Sequence, residues 1–82
     1  MDKLKYVNVG EHNDIIIFSS TIQHSTFKIL NPVSAGFCSI HPDKVICYGK
    51  SVTLNMSSAE NDSFHATKEL FGVDAALRML NE

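Results

Sequence analysis

Apolar positions recur every second residue over the first half of the chain and at helical spacing near its end. From Leu4 to Val9, residues Leu4, Tyr6 and Asn8 fall on one face and Lys5, Val7 and Val9 on the other, the period of a β-strand. Gly10-Glu11-His12-Asn13-Asp14 is a turn cluster. The next run, Asp14-Ile15-Ile16-Ile17-Phe18, is β-branched and apolar on both faces, which predicts a strand central in a sheet. The short link between the two runs makes them an antiparallel hairpin. Ser19-Ser20-Thr21 then offers N-caps for a short helix from about Ile22 to Leu30, with Ile22, Thr26, Ile29 and Leu30 near one face and Phe27 beside it. Asn31-Pro32 ends it, because a residue before proline avoids the α region.

Two further strand-like runs flank Pro42-Asp43, and the turn sets which side chains meet. With the loop at Pro42-Asp43, or over His41 to Lys44, Phe37 lies opposite Tyr48, Cys38 opposite Cys47, and Ile40 opposite Val45. Phe37 and Tyr48 share one face with Ala35 and Ile46, while Gly36, Cys38, Ile40, Val45 and Cys47 share the other. Past Gly49, the alternation of Val52, Leu54 and Met56 predicts a short edge strand over Lys50 to Met56, with Gly49 as a bend or bulge. Ser57-Ser58-Ala59-Glu60 has the spacing of a capping box, and Glu60 and Asp62 suit the positive end of a helix dipole. The stripe Ala59, Ala66, Leu70, Val73, Leu77, Leu80 stays in phase across Gly72. That phase predicts one helix to about Asn81 with Leu70, Leu77 and Leu80 in the core. The rival reading ends a helix at Gly72 and starts another with Asp74 as N-cap.

The element order β-β-α-β-β-(β)-α predicts an α+β fold: an antiparallel sheet of four to five strands carrying a short helix and a longer C-terminal helix. A chain of 82 residues is one small domain. Its 44% apolar content excludes global disorder, while a low charged fraction of 20% hints at further surface buried against a partner. Both faces of the predicted sheet are apolar. Either the helices divide between them or one face docks on another subunit, and a homodimer through Phe37 and Tyr48 is the leading expectation.

A net charge of −2 with scattered lysines argues against nucleic acid as a partner, since phosphate contacts call for a basic face. The N-terminus lacks the apolar core of a secretory signal, and Ile15-Ile16-Ile17-Phe18 is too short to span a bilayer, so a cytoplasmic location is expected. In a reducing compartment Cys38 and Cys47 are free thiols, although directly opposed residues lie within disulfide reach, which makes a redox switch an alternative. No metal site is expected: His41 points away from Cys38, and no second ligand pair has zinc spacing. Gly49-Lys50-Ser51 lacks the first glycine of a phosphate-binding loop, because position 44 is lysine. With no nucleophile elbow and no free carboxylate pair, no enzyme activity and no cofactor are expected.

Val33-Ser34-Ala35-Gly36-Phe37 and Val45-Ile46-Cys47-Tyr48-Gly49-Lys50-Ser51-Val52-Thr53-Leu54 resemble segments of small uncharacterised proteins encoded in bacteriophage and prophage genomes. The resemblance runs from about Pro32 to Asp62 and implies a phage accessory protein in the bacterial cytoplasm, with no active site to transfer. The function expected is a non-enzymatic interaction module. A small ligand- or nucleic-acid-binding accessory protein is the alternative.

Overall fold

The computed structural model describes residues 3–10 and 12–81. Strand β1 (Leu4–Val9) and β2 (Asp14–Phe18) form the first hairpin, turned by Gly10 and Asn13 at positive φ. Strands β3 (Ser34–Ile40) and β4 (Val45–Tyr48) form the second. Its register pairs Phe37 with Tyr48, Cys38 with Cys47 and Ile40 with Val45, and the His41 N–H donates to the Lys44 carbonyl at 2.8 Å to close the loop. The Pro-Asp turn therefore sets the pairing its spacing predicts. The sheet is antiparallel with order β2-β1-β3-β4, and helices follow at the C-terminus, so the fold is α+β.

Strand β2 lies at an edge of this sheet, contrary to the expectation of a central position. Its apolar character does not come from strands on both sides. It comes from Ile15 and Ile17 packing on one face and Ile16 and Phe18 on the other. Residues 50–56 do not form one strand either. Strands β5 (Lys50–Ser51) and β6 (Met56–Ser57) make a separate two-stranded ribbon, turned by Asn55 at φ 53°. The turn places Leu54 and Met56 against the sheet and leaves Val52 exposed.

The short helix is a 3₁₀ helix, His24–Leu30, rather than an α-helix from Ile22. Ser19–Thr21 are spent on a local turn, with the Thr21 N–H bonded to Ser19 Oγ. Three residues per turn bring His24 and Phe27 to the same side. His24 is buried and Phe27 packs on Phe18, while Ile29 is 86% exposed. Asn31, in the left-handed region, ends the helix before Pro32.

The C-terminal segment breaks at Gly72. Helix α1 (Asp62–Phe71) and helix α2 (Val73–Met79) meet there, with Gly72 at φ 97°, ψ 169°, a conformation only glycine adopts freely. The chain then folds back, so that Leu80 lines one depression with Asn61, Phe64 and His65. Reversal destroys the phase that a continuous helix would keep. Leu70, Leu77 and Leu80 are 49, 48 and 67% exposed, and the buried positions are Asp62, Ala66, Thr67, Ala75 and Ala76. Small residues let the helices approach closely, so alanines, not leucines, form this part of the core. The capping box is also unrealised: Ser57 belongs to β6, the residue before α1 is Asn61, and the Ala59 N–H is bonded by Asp62.

The sheet carries a packed layer on each face. Helix α1 packs on Tyr6, Ile15, Cys38 and Val45 of the first face. The 3₁₀ helix and the β5–β6 ribbon pack on Val7, Phe18 and Ala35 of the second. Gly36 is the point of closest approach, since a Cβ there would sit 2.5 Å from the Tyr48 carbonyl oxygen.

Candidate functional site

Three features combine chemistry with placement: a buried carboxylate, the two residue pairs of the β3–β4 hairpin, and the two unequal edges of the sheet. The carboxylate is Asp62, in the first turn of α1 and 1% exposed. Tyr6, Asn8 and Ser34 meet it from the first sheet face, because Tyr6 and Asn8 alternate on β1 and Ser34 lies opposite Asn8 on β3. Asp62 Oδ2 accepts from Tyr6 Oη at 2.5 Å, Ser34 Oγ at 2.6 Å and the Ala59 N–H at 3.0 Å, while Oδ1 accepts from Asn8 Nδ2 at 3.0 Å. Since Tyr6 donates to Asp62, its hydroxyl accepts from Ser58 Oγ at 2.7 Å.

All these donors are neutral. Burial pushes the Asp62 carboxyl up, but the donors, with Ser34 first, outweigh it and hold it below its ordinary value. Burial and the adjoining carboxylate raise the Tyr6 phenol. A carboxylate shifted towards its ionised form and a phenol shifted towards its protonated form, both out of reach of solvent, suit a structural knot rather than proton transfer. Sequence reading assigns Asp62 to capping alone. The missed signal was the row of polar groups, Tyr6, Asn8 and Ser34, on a face that packs inward.

Cys38 and Cys47 face each other under α1 as free thiols. Burial pushes Cys38 up to about 11 and Cys47 up to about 12, the latter also raised by Cys38 and Asp62. Thiolate is therefore scarce at neutral pH, and attack by either sulfur is slow. Phe37 and Tyr48 pair on the second face with ring centroids 6.2 Å apart. The inner side of Phe37 is held by His24, which meets it edge-on at 5.7 Å and bonds the Gly36 carbonyl through Nε2 at 2.7 Å. Lys3 Nζ stands 4.6 Å above the ring. Tyr48 is 41% exposed. Among the described residues no three metal-ligating side chains converge, and no helix is long and apolar enough to cross a membrane.

The two edges of the sheet, β4 and β2, are closed to different degrees. On β4, the outward N–H of Val45 donates to Thr67 Oγ1 at 2.9 Å and that of Cys47 to Ser63 Oγ at 2.7 Å. The match is geometric: four residues of helix advance about 6 Å and two residues of strand about 6.8 Å. Helix α1 thus closes this edge. Outward groups alternate along antiparallel strands, so the direction at Val45 and Cys47 propagates through the register. Ile46 and Tyr48 face β3, Gly36 and Cys38 face β1, and Val7 and Lys5 face β2 opposite Ile16 and Phe18. Ile15 and Ile17 are left with their N–H and C=O groups directed away from the sheet. The same alternation makes Cys38–Cys47 a non-hydrogen-bonded pair, the closer of the two kinds.

No protein-family model matches the chain, and neither does any curated protein or any solved structure.

Proposed function

We propose that the protein is a non-enzymatic interaction module that self-associates through its sheet, pairing the free edge of β2 with β2 of a second copy. The single observation carrying this reading is the inequality of the edges: β4 is closed by Ser63 and Thr67, whereas β2 directs Ile15 and Ile17 outward. Helix α1 also comes close to β2, where Ile15 is 7% exposed, but among the described residues no side chain of α1 bonds the outward main-chain groups of this edge, and an edge strand with unpaired groups is a template for another strand. Strand β2 also reads in sequence as a central strand, and pairing would make it one.

The strand is self-complementary about Ile16. A two-fold axis there sets Ile15 opposite Ile17 of the partner subunit and separates the two Asp14 carboxylates to opposite ends, so no like charges meet. The reading extends to a cytoplasmic accessory protein of phage type, which rests on the resemblance over residues 32–62. The raised thiols of Cys38 and Cys47 speak against the redox alternative. Size-exclusion chromatography with light scattering, with and without reductant, tests the proposal. A dimer in both buffers is expected; a monomer at all concentrations, or a dimer only without reductant, contradicts it.

A further inference from the structure

The 3₁₀ helix and the ribbon cover only part of the second sheet face. The end that bears Phe37 and Tyr48 stays open, and three lysines gather there. Lys5 adjoins Phe37 across the β1–β3 pairing, Lys3 lies over the Phe37 ring, and Lys50 opens β5, one glycine past the end of β4. Lys5, Phe37 and Lys50 border one shallow depression of about 230 Å³. Among the described strand residues on this face the one acid is Asp14, opposite Val9. It sits four residues along β1 from Lys5, a separation of roughly 13 Å. Asp43 is in the β3–β4 turn, beyond Ile40.

We infer that this aromatic and basic patch binds single-stranded nucleic acid, with bases stacked on Phe37 and Tyr48 and phosphates held by Lys3, Lys5 and Lys50. Rings 6.2 Å apart and tilted by 32° are separate enough for each to carry its own base. His24, meeting the ring edge-on, braces Phe37 from the protein side. Lys3 occupies the outer side as a cation over a π-face, and its flexible stem lets it move to a phosphate when a base arrives. Lys5 donates to the Ile22 carbonyl at 2.9 Å and retains two further donors. Sequence-tolerant single-strand binders combine these two elements, stacking rings and a basic track.

An acidic peptide is a poorer fit. Planar carboxylates are gripped best by the arginine fork, and the one arginine of the chain, Arg78, is on α2. The net charge of −2 counts against nucleic acid only if charge is spread evenly. Here three of the seven basic residues meet on this patch, whereas on α1 and α2 Lys68 and Arg78 offset the surface acids Glu69 and Asp74. The inference stands apart from β2 pairing, since the patch draws on the start of β1, on β3 and β4 and on the start of β5, and takes no residue from β2.

The test is fluorescence anisotropy of a labelled 12-nucleotide oligothymidylate and the corresponding oligouridylate, titrated with the whole protein between 50 and 200 mM NaCl. Three phosphate contacts on a single strand predict a slope of about −2 for log K against log salt. Tyr48→Ala should weaken binding roughly tenfold at unchanged slope, because stacking is lost and charge is not. Lys3→Ala with Lys50→Ala should reduce the slope to about −1. Tyr48, Lys3 and Lys50 are exposed, so circular dichroism should show these variants folded. The inference is overturned by absence of binding at 50 mM salt and by variants that bind like the parent. It is equally overturned if a DNA duplex or polyglutamate of matched length competes as well as the single strand.

Discussion

Asp62 holds β1, β3 and α1 together through four neutral donors, so its removal should cost more than a typical surface change. Asp62→Ala strands the buried donors of Tyr6, Ser34 and Asn8, and an expected loss of about 3 kcal/mol or more, read from urea unfolding, follows from the cost of unpaired buried groups. The pH dependence has a definite sign. Because folding lowers the Asp62 pKa, the folded state binds fewer protons, and the stabilisation is present above the unfolded value near 4. It disappears as pH falls through the still lower folded value. Urea midpoints measured from pH 7 to pH 2.5 should fall in acid more steeply for the parent than for Asp62→Asn; parallel curves would contradict this role. Gly36→Ala should prevent folding, because its Cβ would collide with the Tyr48 carbonyl rather than with a movable side chain. At this scale the sequence was partly readable. Alternation correctly places Tyr6 and Asn8 on one face, but only the approach of α1 converts that row into a cage for Asp62, and approach of distant segments leaves no local pattern.

Among the elements, those set by short-range chemistry were legible. The Pro42-Asp43 turn determined the β3–β4 register, and Asn31-Pro32 ended the short helix. Elements that depend on tertiary packing were not. The phase of Leu70, Val73, Leu77 and Leu80 suggested a buried seam, whereas Gly72 reverses the chain and alanines take the contacts. A test separates the two arrangements. Leu77→Asp, on a half-exposed position, should shift stability by no more than about 1 kcal/mol. Ala66→Leu, at a position with no exposure, should cost roughly 1–3 kcal/mol through overpacking. Thermal melts reversing that order would restore the seam. The closure of β4 makes a further prediction. Ser63→Ala with Thr67→Val removes the acceptors of the Cys47 and Val45 amides, for a loss of about 1–3 kcal/mol at the buried Val45 amide and less at the part-buried Cys47 amide. It should also expose a second edge, visible as larger species in light scattering.

As a whole the molecule is a sheet with a layer on each face, the second layer incomplete, one edge bonded by side chains of α1 and the other left with unpaired main-chain groups. Sequence composition predicted apolar surface in excess of what two helices could cover. It could not distinguish a face from an edge, because edge position is a property of strand order and strand order is set by non-local pairing. The central claim is that the open edge pairs with a second copy, and main-chain groups rather than side chains would make that contact. Amide hydrogen exchange therefore tests it most directly, followed residue by residue on dilution from millimolar to micromolar protein. In a β2–β2 dimer the amides of Ile15 and Ile17 are protected at high concentration and exchange rapidly on dilution, while that of Ile16, bonded within the subunit to β1, remains protected throughout. Rapid exchange of Ile15 and Ile17 at every concentration would contradict the account, and so would protection that does not respond to dilution.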